Sequence, residues 1–591
     1  MKQFFKFMFA SMLGTFLILI VCFFLFIGIL VSMISFSNKD EVKISNKSVL
    51  HIKLENMVSD RSSNNPFQAF NFNTMKSNKE LGLNDILANL KKAKTDPNIK
   101  GIYLDVSNIP MGISLLEEIR NGLIDFKKSG KFIISYSEMY SQKAYYLASV
   151  SDKIYLNKEG SIDFHGLAAE IMFFKGLMQK LDVDMQIIRH GKFKSAVEPF
   201  LLDKMSDPNR EQTRQFIGSI WNHIVKGISE SRNISIAQLQ NIADSLLVQS
   251  ADDALKYKFV DELVYKDQLI DILRKKLSIS DKEDIDYITL SKYEDVKTNA
   301  TKTKFSKNKI AIIYAVGAIE GGKGNDQTIG SEKISEAIRN ARIDNNVKAI
   351  VLRVNSPGGD ALASDVIWRE VMLAKKAKPV VVSMGDYAAS GGYYIACAAD
   401  KIIANPTTIT GSIGVFGMIP NLQKMFNNKL GITFDTVLTN KNATAISGNR
   451  PLSTFQEKVI LNQIERIYGV FIAHVAEGRK MTIEQVDNIG QGRVWSGFDA
   501  KRIGLVDDFG GIDKAIEEAA KLAKLTEYKV IEYPKQKEFF QQIMEEFSGE
   551  NATTKALQKE LGENYVYYQT LKSISSMKGI QARLPYVISL D

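Results

Sequence analysis

The first break in the pattern of apolar and polar positions comes at the start of the chain: from Phe7 to Phe36 no residue carries a charge. Thirty such residues, at about 1.5 Å each in a helix, exceed the roughly 30 Å hydrocarbon thickness of a bilayer and predict one tilted membrane helix. A cleaved secretory signal is the competing reading. Its apolar core runs to only about 7–15 residues, however, and no Ala-x-Ala-like site follows this run. Lys2 and Lys6 before the run face Lys39, Lys43 and Lys47 after it, so charge alone leaves the orientation open.

Beyond this segment, short β-branched runs alternate with stretches of helical periodicity. Gly101–Val106 and Lys131–Ser135, and again Ala349–Val354 and Pro379–Ser383, read as buried strands; Ile113–Phe126 and Ala361–Ala374 read as the helices between them. Strand–helix–strand order predicts an α/β fold with largely parallel sheets and right-handed crossovers. The two sets are copies of one another. Asp96-Pro-Asn98-Ile-Lys100-Gly-Ile102 lies against Asp344-Asn-Asn346-Val-Lys348-Ala-Ile350 at a constant offset of 248, which also matches Tyr145-Tyr146 with Tyr393-Tyr394 and Gly166 with Gly414. Ser250, Asp253 and Ala254 match Ser496, Asp499 and Ala500 at 246. A register kept over some 165 residues is a duplicated domain rather than a solenoid of short repeats. The expected plan is an anchor (1–40), a first copy (41–291), a polar linker (292–309), a second copy (310–531) and a polar tail (532–591).

Composition narrows the class. Hydrophobic residues at 45% and charged residues at 24% suit a chain that folds mostly in water, not a polytopic transporter or a disordered protein. The net charge of +9 is spread without a dense basic run, so no nucleic-acid partner is expected. Cys22 and Cys397 are too far apart for a disulfide framework, and no Cys/His cluster suggests a metal; no metal or cofactor is expected.

The chemistry emerges where the copies differ. After a strand the second copy has Asn355-Ser-Pro357-Gly358-Gly359-Asp360, where the first has Ser107-Asn108-Ile109-Pro110-Met111. Adjacent glycines there can turn backbone N–H groups outward, as an oxyanion hole requires; an ordinary turn is the bland alternative. Further on, Ala389-Ser390-Gly391-Gly392 faces Gln142, Lys143 and Ala144 of the first copy, with Ser390 opposite Gln142. A serine between strand and helix, flanked by residues without bulk, can present its hydroxyl to a substrate, or it can simply cap the helix. None of the five histidines forms a recognisable triad motif with it. The first copy offers another base in Gly191-Lys192-Phe193-Lys194-Ser195-Ala196-Val197-Glu198-Pro199-Phe200, whose apolar neighbours can desolvate an amine; the second copy has no lysine equivalent to Lys194. Repulsion from Lys192 is expected to help keep that amine neutral. Ser412 in Thr410-Gly-Ser412-Ile-Gly414 faces Phe164, so this hydroxyl too survives only in the second copy.

Taken together, the anchor, the two copies, the Gly-Lys-Phe-Lys-Ser motif, Ser-Pro-Gly-Gly, Ala-Ser-Gly-Gly-Tyr-Tyr and Thr-Gly-Ser resemble signal peptide peptidase A in its long, two-copy bacterial form. The resemblance covers roughly residues 1–530; the polar tail lies outside it. It implies two tandem Clp protease/crotonase-like domains and a serine peptidase with Ser390 as nucleophile, Lys194 as general base and Ser412 assisting the lysine. On that reading, backbone groups at Gly358, Gly359 and Gly391 stabilise the oxyanion. It further implies a homotetramer on the outer face of the bacterial inner membrane, and substrates that are cleaved signal peptides and other apolar peptides. The rival is a crotonase-like binding scaffold that holds a ligand without cleaving it.

Overall fold

The uncharged run lies within one helix, Lys2–Ser37, of which Gln3–Phe24 is long and apolar enough to cross a membrane and is not buried against the described residues. The computed structural model describes residues 2–37, 44–64, 70–71, 76–77, 81–297, 306–325, 327–444 and 446–536, with short pieces of the tail of which 580–584 is the longest.

Each copy folds around its own sheet, parallel throughout in the first copy and in the six strands of the second that correspond to it. In the first, six strands run in the order Glu262–Leu263, Lys153–Ile162, Phe132–Tyr140, Ile99–Leu104, Ser48–Ile52 and Tyr287–Thr289. The second repeats the order with Asp508–Phe509, Lys401–Ala404, Val380–Ala389, Val347–Ser356, Lys309–Val316 and Lys529–Tyr533. Helices Ile113–Lys127 and Ala361–Ala377 supply the crossovers, so the alternation read from the sequence is the alternation of the fold. The apolar run at 379–383 underestimates its strand. Val380–Ala389 continues through Gly385 and Asp386, a half-buried residue that accepts the Ser114 N–H of the other copy on its carboxylate at 2.9 Å. Burial, with Asp60 nearby, raises the Asp386 carboxyl to about 7. That extension carries the chain to Ser390.

The copies are locked together by a buried charge cluster. Arg353, on the central strand Val347–Ser356, is fully enclosed; its Nε lies 2.6 Å from Asp60 and its Nη2 2.7 Å from Glu118, both in the first copy. Burial opposes its charge, but Glu118 and Asp60 more than offset that and raise its pKa. Asp60 also accepts from Asn355 at 2.6 Å, and Glu118 from the Ile512 N–H at 2.7 Å.

A third sheet crosses from one copy to the other. Its order is Thr328–Gly330, Ala318–Glu320, Gly358–Asp360, Ile580–Arg583, Phe416–Asn421 and Asp184–Arg189. Asp184–Arg189 of the first copy pairs antiparallel with Phe416–Asn421 of the second over six residues. An apolar cluster of Ala196, Val197, Phe200, Phe416 and Met418 covers this join.

The structure adds detail to the expected linker and tail. The stretch 292–309 begins inside the helix Leu290–Glu294, whose Tyr293 is buried, and ends in a strand at Lys309; residues 298–305 lie outside the described residues. Two described pieces of the tail pack against the second copy. Glu532 belongs to an edge strand of the second copy, and Ile580–Arg583 is inserted in the third sheet. The sequence reading missed this because a strand of so few residues carries no periodicity.

Replacing Arg353 by Met would strand Asp60 and Glu118 as unpaired buried carboxylates. The expected cost is about 3–5 kcal/mol of stability, read as a lower urea midpoint; an unchanged midpoint would show that the cluster does not hold the copies together.

Candidate active site

Ser390 stands where strand Val380–Ala389 gives way to helix Gly391–Ala396, with φ 55° and ψ −114°. A positive φ is uncommon for a residue with a side chain and persists only where the surroundings enforce it. Here the Ser390 N–H donates to the Gly411 carbonyl at 2.8 Å and its own carbonyl accepts the Tyr394 N–H at 2.8 Å. The glycines that follow are demanded by close packing. A methyl group at Gly391 would come within 2.7 Å of Ser364 Oγ, and one at Gly392 within 2.7 Å of the Ser356 carbonyl.

Lys194 arrives from the other copy. The strand Asp184–Arg189 delivers the Gly-Lys-Phe-Lys loop across the join, and the loop is then pinned at several points. Arg189 Nη1 donates to the Lys194 carbonyl at 3.0 Å. Gln212 Nε2 donates to the Phe193 carbonyl and Ser195 Oγ at 3.1 and 3.0 Å, while its Oε1 accepts the Val494 N–H at 3.0 Å. Fully buried Glu198 accepts from Ser206 Oγ at 2.5 Å and Asn209 at 3.0 Å. Gly492 passes so close that a Cβ there would lie 2.7 Å from Lys194 Cα, Cβ and N.

The result is a Lys194 Nζ 2.9 Å from Ser390 Oγ, 3.0 Å from Ser412 Oγ and 3.3 Å from the Ser412 carbonyl. All three side chains are fully enclosed. Burial alone holds the Lys194 pKa well below the ordinary lysine value, since a charge without water or a counter-ion is the disfavoured form. The expected help from Lys192 is absent: that side chain is exposed and lies over the Phe193 ring. A neutral amine has two N–H donors and one lone pair. With the donors on the two Ser412 oxygens, the lone pair is left for the Ser390 hydroxyl proton. Ser412 has its own forced backbone, φ 50°, and its N–H donates to the Arg493 carbonyl at 2.7 Å.

Of the three glycines singled out, Gly358 takes φ 96° and its N–H donates to Ser356 Oγ at 3.1 Å. Its N–H is therefore engaged locally, whereas Gly359 lies on an interior strand of the third sheet and Gly391 follows the serine. The five histidines lie elsewhere, each beside a carboxylate: Asp105, Asp163, Glu465, Glu117 and Asp365. Among the described residues no group of three or more His, Cys, Asp or Glu is placed to hold a metal. In the first copy the equivalent position is closed. Gln142 accepts the Gly166 N–H at 2.9 Å and donates to the Gly166 carbonyl at 2.9 Å, and with Phe164 it lines a cavity of only about 20 Å³.

Sequence reasoning missed Arg189, Gln212 and Gly492, which take part in no recognisable motif, and gave no role to Glu198, which lies inside the lysine motif. Only Gly492, within Gly490-Gln-Gly492, left a legible signal.

Comparison with known proteins agrees with this architecture. Residues 304–409 match the Clp protease family, and the fold is that of a Clp protease-like serine peptidase, present in two tandem copies. Residues 125–280 and 372–526, one block per copy, each match peptidase family S49. The chain belongs to peptidase family S49. It is 41% identical to "Protease 4" of Salmonella typhi over 480 residues, covering 80% of this chain and 76% of that protein. It is 36% identical to "Protease 4" of Haemophilus influenzae over 86% of this chain and 84% of that one. The "Serine protease SPPA, chloroplastic" of Arabidopsis thaliana is 32% identical over 82% and 70% respectively.

A native state that holds Lys194 neutral binds fewer protons than the unfolded chain at every pH between the lowered pKa and the ordinary value of 10.5. Stability therefore rises with pH across that window, with a slope of up to about 1.4 kcal/mol per pH unit from this group. Lys194→Met removes the term. The variant is expected to be more stable than the native chain at pH 7 and to show a flatter dependence of the urea midpoint on pH; parallel curves would mean that the amine is charged when buried.

Proposed function

We propose that this serine peptidase is a membrane-anchored endopeptidase that uses a Ser390/Lys194 dyad, split between the two copies, to degrade signal peptides already cut from exported proteins and other apolar peptides. The observation that carries the reading is a fully enclosed lysine amine, its pKa held well below the ordinary lysine value by burial, 2.9 Å from a serine hydroxyl.

Lys194 takes the Ser390 proton as Oγ attacks the peptide carbonyl, and the backbone N–H groups of Gly359 and Gly391 receive the oxyanion, with Gly358 supplying the turn between them. Lys194 then returns the proton to the leaving amine, and water cleaves the acyl-enzyme. Ser412 directs the amine, as a third group orients the base in other dyads. The apolar helix at the N-terminus suits an anchor in the bacterial inner membrane, with everything after about residue 40 outside the cytoplasm, where spent signal peptides collect. A homotetramer is the assembly we infer from the resemblance to signal peptide peptidase A.

Ser390→Ala and Lys194→Ala are each expected to lower peptide hydrolysis by on the order of 10⁴-fold or more without unfolding the chain. Ser412→Ala should cost kcat about one to three decades, below the loss of the base itself. A fluorophosphonate probe should label Ser390 in the native protein. Intact protein that neither labels nor hydrolyses peptides would favour the binding scaffold.

The topology has its own check. Protease added to spheroplasts of the source bacterium should digest the bulk of the chain; protection until lysis would place the domains in the cytoplasm.

A further inference from the structure

The loop that carries Lys194 is held at its start by contacts that the dyad itself does not use. His190 is the first residue after the strand Asp184–Arg189. Its ring stacks on Tyr468 of the second copy, with centroids 3.8 Å apart and planes 25° from parallel, and its Nδ1 lies 2.8 Å from the Glu465 carboxylate. Both partners sit on the helix Thr454–Arg479. Tyr468 is almost fully enclosed whereas Glu465 is half exposed, so the ring contact rather than the rim carboxylate fixes His190. Aligning the caps of the two long helices, Ser206 with Ser453 and Asn233 with Lys480 at an offset of 247, places Gly218 and Trp221 opposite Glu465 and Tyr468. The first copy's helix has neither a carboxylate nor a phenol at these positions.

Tyr468 also reaches the lysine. Burial pushes its phenol above the ordinary tyrosine value, so the hydroxyl keeps its proton and donates it to Asp487 Oδ1 at 2.5 Å, on the helix Ile483–Ile489. The same oxygen accepts the Gln491 N–H at 3.1 Å, and Gln491 Nε2 donates to Asp487 Oδ2 at 3.3 Å. Gln491 stands at φ 52°, a backbone that persists only where neighbours enforce it. Its carbonyl accepts the Phe193 N–H at 3.1 Å, and Gly191 packs so closely that a Cβ there would lie 2.6 Å from that carbonyl oxygen. The next residue is Gly492, which presses on Lys194. Gln491 thus grips the loop on both sides of Lys192, and the Tyr468 hydroxyl holds Gln491. The contacts form a closed path from His190 through Tyr468, Gln491 and Phe193 back along the loop.

We propose that His190 and Tyr468 are positioning residues for the general base: stacked across the join, they hold the Lys194 loop in the seating that keeps Nζ dry and aligned with Ser390 Oγ. The proposal rests on the Ser390/Lys194 reading above. Neither side chain touches a reacting atom. Their effect passes through Gln491 and Gly492 to the backbone of the lysine. The charged and titratable groups around the His190 ring are Glu465 and Tyr468 on one helix, Asp487 behind Tyr468, and Arg189 and Lys192 on its own strand and loop. Arg189 is engaged with the Lys194 carbonyl, and Lys192 lies over the Phe193 ring. A loop released from Tyr468 admits water to the amine. Hydration favours the charged form, so the Lys194 pKa climbs back toward the ordinary lysine value and less of the base is neutral at pH 7.

The test is the pH dependence of peptide hydrolysis by the purified full chain in detergent, with kcat and KM separated. His190→Ala removes the ring, and Tyr468→Phe removes only the phenol oxygen. Each is expected to move the limb of kcat/KM set by Lys194 about one pH unit toward alkaline, which at pH 7 is about a tenfold loss. That loss should fall on kcat, with KM within about twofold of native, and should be recovered on the alkaline side. His190→Phe, which keeps a ring on Tyr468, should restore the native limb. An unmoved limb in either folded variant, or a loss carried by KM, would overturn the positioning role and leave the dyad in place. A His190→Phe chain no better than His190→Ala would overturn it as well. Tyr468→Phe, the smaller change, carries the test by itself if His190→Ala does not fold. Native activity in Lys194→Ala would remove the dyad and the positioning role together.

Discussion

An amine without its charge, held against a hydroxyl, is the condition on which the rest of this architecture depends. Lysine is a base only after water and counter-ions have been taken from it, and both must be kept away from Nζ without moving it from Ser390. Burial meets the first requirement through the apolar cluster of Ala196, Val197, Phe200, Phe416 and Met418 at the join. The second is met by rigid supports: Arg189 and Gln212 on the loop backbone, Gly492 pressed against the lysine, and Ser412 on its amine. Because the lysine and the serine come from different copies, the distance between them is only as well defined as the docking of the copies. The enclosed Arg353 with Asp60 and Glu118, and the strand pairing Asp184–Arg189 with Phe416–Asn421, define that docking.

Duplication made this division of labour available. Two copies with the same sheet order present two equivalent clefts, and each has kept what the other lost. In the first copy Gln142 bridges the Gly166 backbone where a nucleophile would stand, and Phe164 occupies the position of the orienting serine. That cleft is packed nearly shut. The second copy keeps the strained Ser390, the strained Ser412 and the paired glycines, features that a purely structural domain has no reason to maintain.

The third sheet gives the cleft a form suited to peptides of many sequences. Its walls are backbone edges, so an extended chain is held mainly through its own N–H and C=O groups, and side-chain demands fall on a few enclosed positions. The tail strand shows the geometry in use: its carbonyl at Ala582 meets the glycines, and its side chain enters the core of the second copy.

Several features were legible in the sequence because they are local or repetitive. An uncharged run specifies an apolar helix, β-branched runs between helical stretches specify a parallel α/β sheet, and a constant offset between Asp96 and Asp344 specifies a duplication. Ser390, Lys194 and Ser412 stood out because each is present in one copy and replaced in the other. The meeting of residues 194, 390 and 412 was not legible from the residues themselves, since a distance of 2.9 Å between positions 196 apart depends on how two domains dock. The supports of the lysine were hidden for the same reason: Arg189, Glu198 and Gln212 act through hydrogen bonds to backbone that only folding brings near. Most hidden was the tail. Strand addition is directed by main-chain groups that every residue carries, so nothing in Ile580–Arg583 distinguishes it as a strand until the sheet it completes has formed.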